Sequence, residues 1–134
     1  KILEELGVYK NFHWLGKLEY PNKIREFLSE IDVYALITGM DLAALSLKEA
    51  QLMKKPVIAT DVGGNPEMMK DGITGYLVKK GNDEEIIEKI SLLLNDKKLS
   101  QNMGDAGRNF IEETYSWEVI TKNFIRILNA NIKK

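Results

Sequence analysis

Pro56-Val57-Ile58-Ala59-Thr60-Asp61-Val62-Gly63-Gly64-Asn65-Pro66-Glu67 changes character twice within twelve residues. It opens as a continuous apolar run, the pattern of a strand covered on both faces, as in parallel sheets. It breaks at Asp61 to Gly64. Asn65-Pro66-Glu67 then reads as a helix start: asparagine can cap, proline suits the first helical position, and glutamate favours the positive end. Ligands of parallel α/β sheets sit beyond the carboxyl ends of the strands, in loops of this kind. Paired glycines let backbone N–H groups approach a guest closely, and the unsatisfied donors of a helix start favour an anion, most naturally a phosphate. A tight strand–helix turn without a ligand is the alternative reading of the same residues.

The pattern repeats on either side. Val33-Tyr34-Ala35-Leu36-Ile37 is a second apolar run. It is followed by the loop Thr38-Gly39-Met40-Asp41 and a stretch of helical propensity over residues 42–53, closed before Pro56. Further upstream, Leu3, Leu6 and Gly7 read as the end of a helix, Phe12-His13-Trp14-Leu15-Gly16 as a short strand closed by glycine, and Ile24, Phe27, Leu28 and Ile31 recur at helical spacing after Pro21. Downstream, Tyr76-Leu77-Val78 is a brief strand between Gly75 and Gly81. Asn82 and Glu85 then stand at capping-box spacing before a helix marked by Ile86, Ile90 and Leu93 or Leu94. Two more helices follow, over about 97–114 and 117–130, the last with Ile120, Phe124, Ile127 and Leu128 on one face. Strands alternating with helices predict βαβ units and one parallel sheet, in a single domain over residues 1–134.

Two acids stand in the other candidate loop. Asp41 follows the second strand, and Glu49 lies about two turns into the next helix, beside Leu45, Ala50, Leu52 and Met53. A carboxylate near an apolar stripe needs a partner to offset its desolvation, and sugar hydroxyls are good donors to it. A solvated glutamate on a surface helix is the alternative. A metal site is not expected, because His13 is the single histidine, there is no cysteine, and no further acidic cluster joins the pair. His13 reads as a packing or edge residue, Trp14 and Trp117 as core and helix-docking residues, and Lys79-Lys80, Lys97-Lys98 and Lys133-Lys134 as solvated surface. A net charge of −1 argues against nucleic acid as a partner, since phosphate neutralisation needs a basic field. No run approaches the apolar length of a membrane span, and the N-terminus has neither methionine nor a leader pattern, so the chain is expected to begin inside a larger protein.

Taken in order, Trp14-Leu15-Gly16, Val33 to Ile37, Lys55-Pro56-Val57, Ala59 to Glu67, Gly72 to Val78 and Tyr115-Ser116-Trp117 resemble the donor-binding, C-terminal domain of retaining glycosyltransferases of the GT-B fold, family 4 or group 1. The resemblance implies a Rossmann-like parallel sheet flanked by helices, here lacking its first units. It implies a final helix, about 116–130, that crosses toward an N-terminal domain. By the same resemblance, Glu49 accepts hydrogen bonds from the donor ribose, and Asp41 matches the first acid of the family's paired motif, near the donor sugar. Leu42, Ala43, Ala44 and Leu45 stand where the family has glycines whose backbone faces diphosphate and sugar. Gly63 and Gly64 add to that site, and Lys17 and Leu18 match the place where backbone meets the base. The implied reaction moves a sugar from a nucleotide diphosphate to a hydroxyl acceptor (saccharide, lipid-linked glycan or small molecule) with retention and without a metal or cofactor.

The implied setting is cytoplasmic, with peripheral membrane contact through the other domain. The 134 residues alone are expected to be inactive and, through the face of the last helix, to self-associate. Two rivals remain: a catalytically degenerate nucleotide-sugar-binding or structural domain, motivated by Asp41 and the replaced glycines, and a sugar-nucleotide epimerase on the same fold. A receiver-type module is set aside because its acidic cluster belongs at the first strand.

Overall fold

The computed structural model describes residues 2–132; the expected surface lysines Lys133 and Lys134 lie outside them. Three strands, β1 (Tyr34–Leu36), β2 (Val57–Thr60) and β3 (Gly75–Val78), form a parallel sheet in that order. Among the described residues six α-helices accompany it: α1 (Ile2–Glu5), α2 (Asn22–Glu30), α3 (Leu45–Leu52), α4 (Asp83–Asn95), α5 (Lys97–Tyr115) and α6 (Trp117–Ile132). The expected α/β class with a parallel sheet between helices is the observed one.

The central strand decides the layering. All four residues of β2 are buried, as an apolar run covered on both faces must be. Val57 and Ala59 face Leu28 of α2 and Leu47 and Ala50 of α3; Ile58 faces the other way, toward Val78, Leu93 of α4 and Met103 of α5. Full burial of Leu47 and Ile58 contributes roughly 1.5–3 kcal/mol each relative to exposure. Helix α5 joins the two layers: Leu99 and Met103 pack in the α4 layer, whereas Tyr115 reaches the α3 layer. It passes close to the turn after α3, where a Cβ on Gly104 would lie 2.0 Å from the Lys54 carbonyl oxygen.

Four expectations change. Phe12 to Gly16 is not a strand: it is irregular, pairs with no strand, and leaves Phe12, His13, Trp14 and Leu15 exposed. Trp14 (83% exposed) and Trp117 (80%) are therefore surface residues rather than core or docking residues. Asn65-Pro66-Glu67 opens no α-helix but a single 3-10 turn. The Asn65 side chain does not cap it; buried, it donates Nδ2–H to the Thr60 carbonyl at 3.0 Å. Helix α3 begins at Leu45 rather than 42, because the Asp41 carboxylate holds the Ala43 N–H at 3.1 Å in a local turn that competes with the helix. The Asn82 cap stands as expected, accepting from Glu85 N–H at 3.2 Å, and the Glu85 carboxylate accepts in return from the Asn82 amide and from Lys79 N–H.

Candidate functional site

Both candidate loops emerge at the carboxyl ends of neighbouring strands, β1 and β2. They are built as one unit. Gly64 N–H donates to the Asp41 carbonyl at 2.8 Å. A Cβ on Gly63 would lie 1.9 Å from the Asp41 oxygen, and one on Gly64 2.0 Å from the Leu42 oxygen. Gly63 also sits at φ +54°, a conformation that side chains other than glycine rarely adopt. The glycines thus admit the neighbouring loop's backbone, and of their two N–H groups the one on Gly64 is already spent on Asp41.

The Asp41 loop presents its groups unevenly. One carboxylate oxygen of Asp41 is engaged by its own Ala43 N–H, and Asp41 is half-buried. Leu42, Ala43 and Leu45 are exposed, whereas the Ala44 methyl is buried in the core. The N–H groups of Leu45 and Ser46 open α3 without an intrahelical acceptor, so the helix start offers two donors and its partial positive charge.

Glu49 lies one to two turns further along α3, on a different wall. With Gly16, Leu18, Ile24, Phe27, Leu28, Tyr34 and Ser46 it lines a cavity of about 200 Å³. It also borders an adjoining groove of about 350 Å³ that carries Tyr20, Arg25 and Arg108. Half-buried, its carboxylate has no hydrogen-bond or ion-pair partner among the described residues. Leu18 is therefore brought to Glu49, while Lys17 is exposed and stands outside this lining. Asp41, Gly63 and Gly64 line neither space. Ser46 and Tyr34 escaped the sequence reading. Ser46 was recoverable, since three residues along a helix share a face; Tyr34 enters by tertiary placement alone. Elsewhere on α3 and α5, Tyr115 donates its hydroxyl to the Glu67 carbonyl at 2.7 Å with the Lys48 ammonium over its ring. Burial, then the Glu67 charge, raises its pKa above the ordinary phenol value.

Among the described residues no group of three or more His, Cys, Asp or Glu gathers as a metal-ligand set, and no helix is long and apolar enough to cross a membrane. The family model of glycosyl transferases group 1 matches residues 1–110. The chain belongs to that family. This group 1 glycosyltransferase domain is 32% identical over 125 residues to N-acetyl-alpha-D-glucosaminyl L-malate synthase of Bacillus anthracis, covering 89% of this chain and 32% of that protein. Among solved structures it is similar to the C-terminal domain of a group 1 family protein, LpcC, of Francisella tularensis (26% identity, TM-score 0.77, 87% of this chain and 60% of that one). It is also similar to TarM of S. aureus, solved with fondaparinux, alpha-GlcNAc-glycerol and UDP (26% identity, TM-score 0.80, 96% of this chain and 26% of that one). The domain spans about a third of the length of the curated relatives it matches.

Proposed function

We propose that this domain binds the nucleotide-diphosphate sugar donor of a hexosyltransferase that passes the sugar to a hydroxyl acceptor with retention of configuration. The observation that carries the reading is the Glu49 carboxylate, half-buried and unpartnered, in the same small cavity as Leu18 and Gly16. A carboxylate so placed is offset by ligand hydroxyls, which fits a ribose, with the base toward Gly16 to Leu18. The diphosphate then lies against the start of α3, where the Leu45 and Ser46 N–H groups face the charge that grows as the sugar leaves. In this reading those backbone donors, with Gly63 N–H, act without a metal, and Asp41 lies at the sugar end. The UDP bound by the TarM relative supports the donor class. The same reading places the reaction in the cytoplasm, with any lipid-linked acceptor reached from a peripheral position.

The ribose assignment is tested by Glu49→Gln in the full chain. Losing the charge-assisted bond weakens nucleoside diphosphate binding by about tenfold, measured by calorimetry across UDP, GDP and ADP. Removing the ribose hydroxyls from the ligand weakens the wild type by a similar factor and the variant much less. Equal affinity of both proteins for the same ribonucleotide would sink it. One observation favours a second reading, binding without transfer: the Asp41 carboxylate is tied to its own loop and lines neither space beside Glu49. Binding with neither transfer nor donor hydrolysis selects it.

A further inference from the structure

Strand β1 ends at Leu36, paired with Ala59, and leaves the sheet before Thr38. The Thr60 side chain continues the ladder in its place. Its hydroxyl accepts from Thr38 N–H at 3.1 Å and donates to the Thr38 carbonyl at 2.8 Å, and the residue is 1% exposed. The Thr60 carbonyl is itself fixed, accepting from the buried Asn65 amide and from Val62 N–H. From this anchor the loop is tied forward. Thr38 Oγ1 donates to the Met40 carbonyl, Lys80 Nζ donates to the Gly39 carbonyl at 3.2 Å, and Gly64 N–H holds the Asp41 carbonyl. Apart from the bonds the loop makes within itself, these ties come from β2, the turn after β2 and the segment after β3. Lys80 is accordingly more than the solvated surface charge that its sequence suggested.

We propose that Thr60 is a positioning residue for the sugar end of the donor site: its buried hydroxyl sets the height at which the loop carrying Asp41 leaves the sheet. What that loop does rests on the glycosyltransferase reading; how it is held does not. Thr60 touches no ligand in this account, and it lies outside the wall formed by Glu49 and Leu18. Loosening it moves Asp41 against the sugar while α3, held in the core by Leu47 and Ala50, keeps the diphosphate and nucleoside in place.

The test uses Thr60→Val, Thr60→Ala and Thr60→Ser in the full chain. Amide hydrogen exchange is followed over residues 38–43 and 57–59. Affinity is measured for whichever of UDP, GDP and ADP the wild type binds most tightly, and kcat and KM for turnover of the matching nucleotide sugars. The Val and Ala variants should exchange the 38–43 amides at least about tenfold faster than wild type, with β2 protected, because both bonds that tie the start of the loop to the sheet are lost. Turnover should fall by about tenfold or more through kcat, with nucleoside diphosphate affinity within about twofold, and Thr60→Ser should restore both. The alanine variant covers the case in which valine prevents folding, since it leaves room for water to meet the two Thr38 groups. Unchanged exchange over 38–43, a nucleotide affinity that falls in step with kcat, or no rescue by serine would each overturn the proposal. If the exchange pattern holds but the wild type binds no nucleoside diphosphate, the loop anchor stands and the donor-site reading fails.

Discussion

At the scale of single residues, the shape of the candidate site depends on what two glycines leave out. Gly63 combines a positive φ with an oxygen 1.9 Å from where its Cβ would stand, whereas Gly81, at φ +78°, has nothing within 4 Å. The pair separates conformational strain from collision. Gly81→Ala should cost about 1 kcal/mol, the left-handed penalty alone. Gly63→Ala adds the displacement of the Asp41 loop and should cost about 2–4 kcal/mol, read from urea midpoints at constant slope. Equal losses at the two positions would show that the loops do not meet as described. Nothing in the sequence announces this contact. The Gly-Gly pair signals a close approach, but not whether a ligand or another loop makes it, because the partner is more than twenty residues away.

Elements were legible where their signals are local and illegible where tertiary contacts compete. The α4 cap at Asn82 and the amphipathic spacing of α2 stand, since each depends on near neighbours, and the β2 run stands because β1 and β3 lie on either side of it. Asn65 was also read as a cap, from Asn-Pro-Glu rather than from a capping box, yet its amide is drawn to the Thr60 carbonyl and its Oδ1 is buried without a protein partner. The two asparagines should therefore respond differently. Asn82→Ser, which keeps a capping oxygen, should change stability by about 0.5 kcal/mol or less. Asn65→Asp removes the buried donor, sets a carboxylate against a carbonyl, and should cost about 1–3 kcal/mol in chemical denaturation. Unchanged stability in the Asn65→Asp variant would return that residue to the role of a helix cap. Phe12 to Gly16 shows the opposite failure: its apolar pattern suits a strand, but a strand needs a neighbour, and none lies beside this segment among the described residues. Of the candidate site, Glu49 and Leu18 were legible together only through the family resemblance, because 31 positions of chain separate them.

At the scale of the whole molecule, the apolar face expected on the last helix is present and uncovered. Ile120, Phe124, Ile127 and Leu128 are each more than 40% exposed, and Trp117 at the start of the same helix is exposed as well. A contiguous patch of this kind drives association. Static light scattering of this chain should show apparent mass rising with concentration, and Phe124→Lys with Ile127→Lys should abolish the rise; a monodisperse monomer over the whole range contradicts it. The sheet end of the molecule carries a different consequence. Because the Gly63-Gly64 turn and the Asp41 loop share atoms' worth of clearance, neither can be exchanged alone. Anyone transplanting a relative's sugar loop into this domain would have to carry across residues 38–45 and 60–65 together, as a single module, and natural variation at the two places should be inherited in pairs.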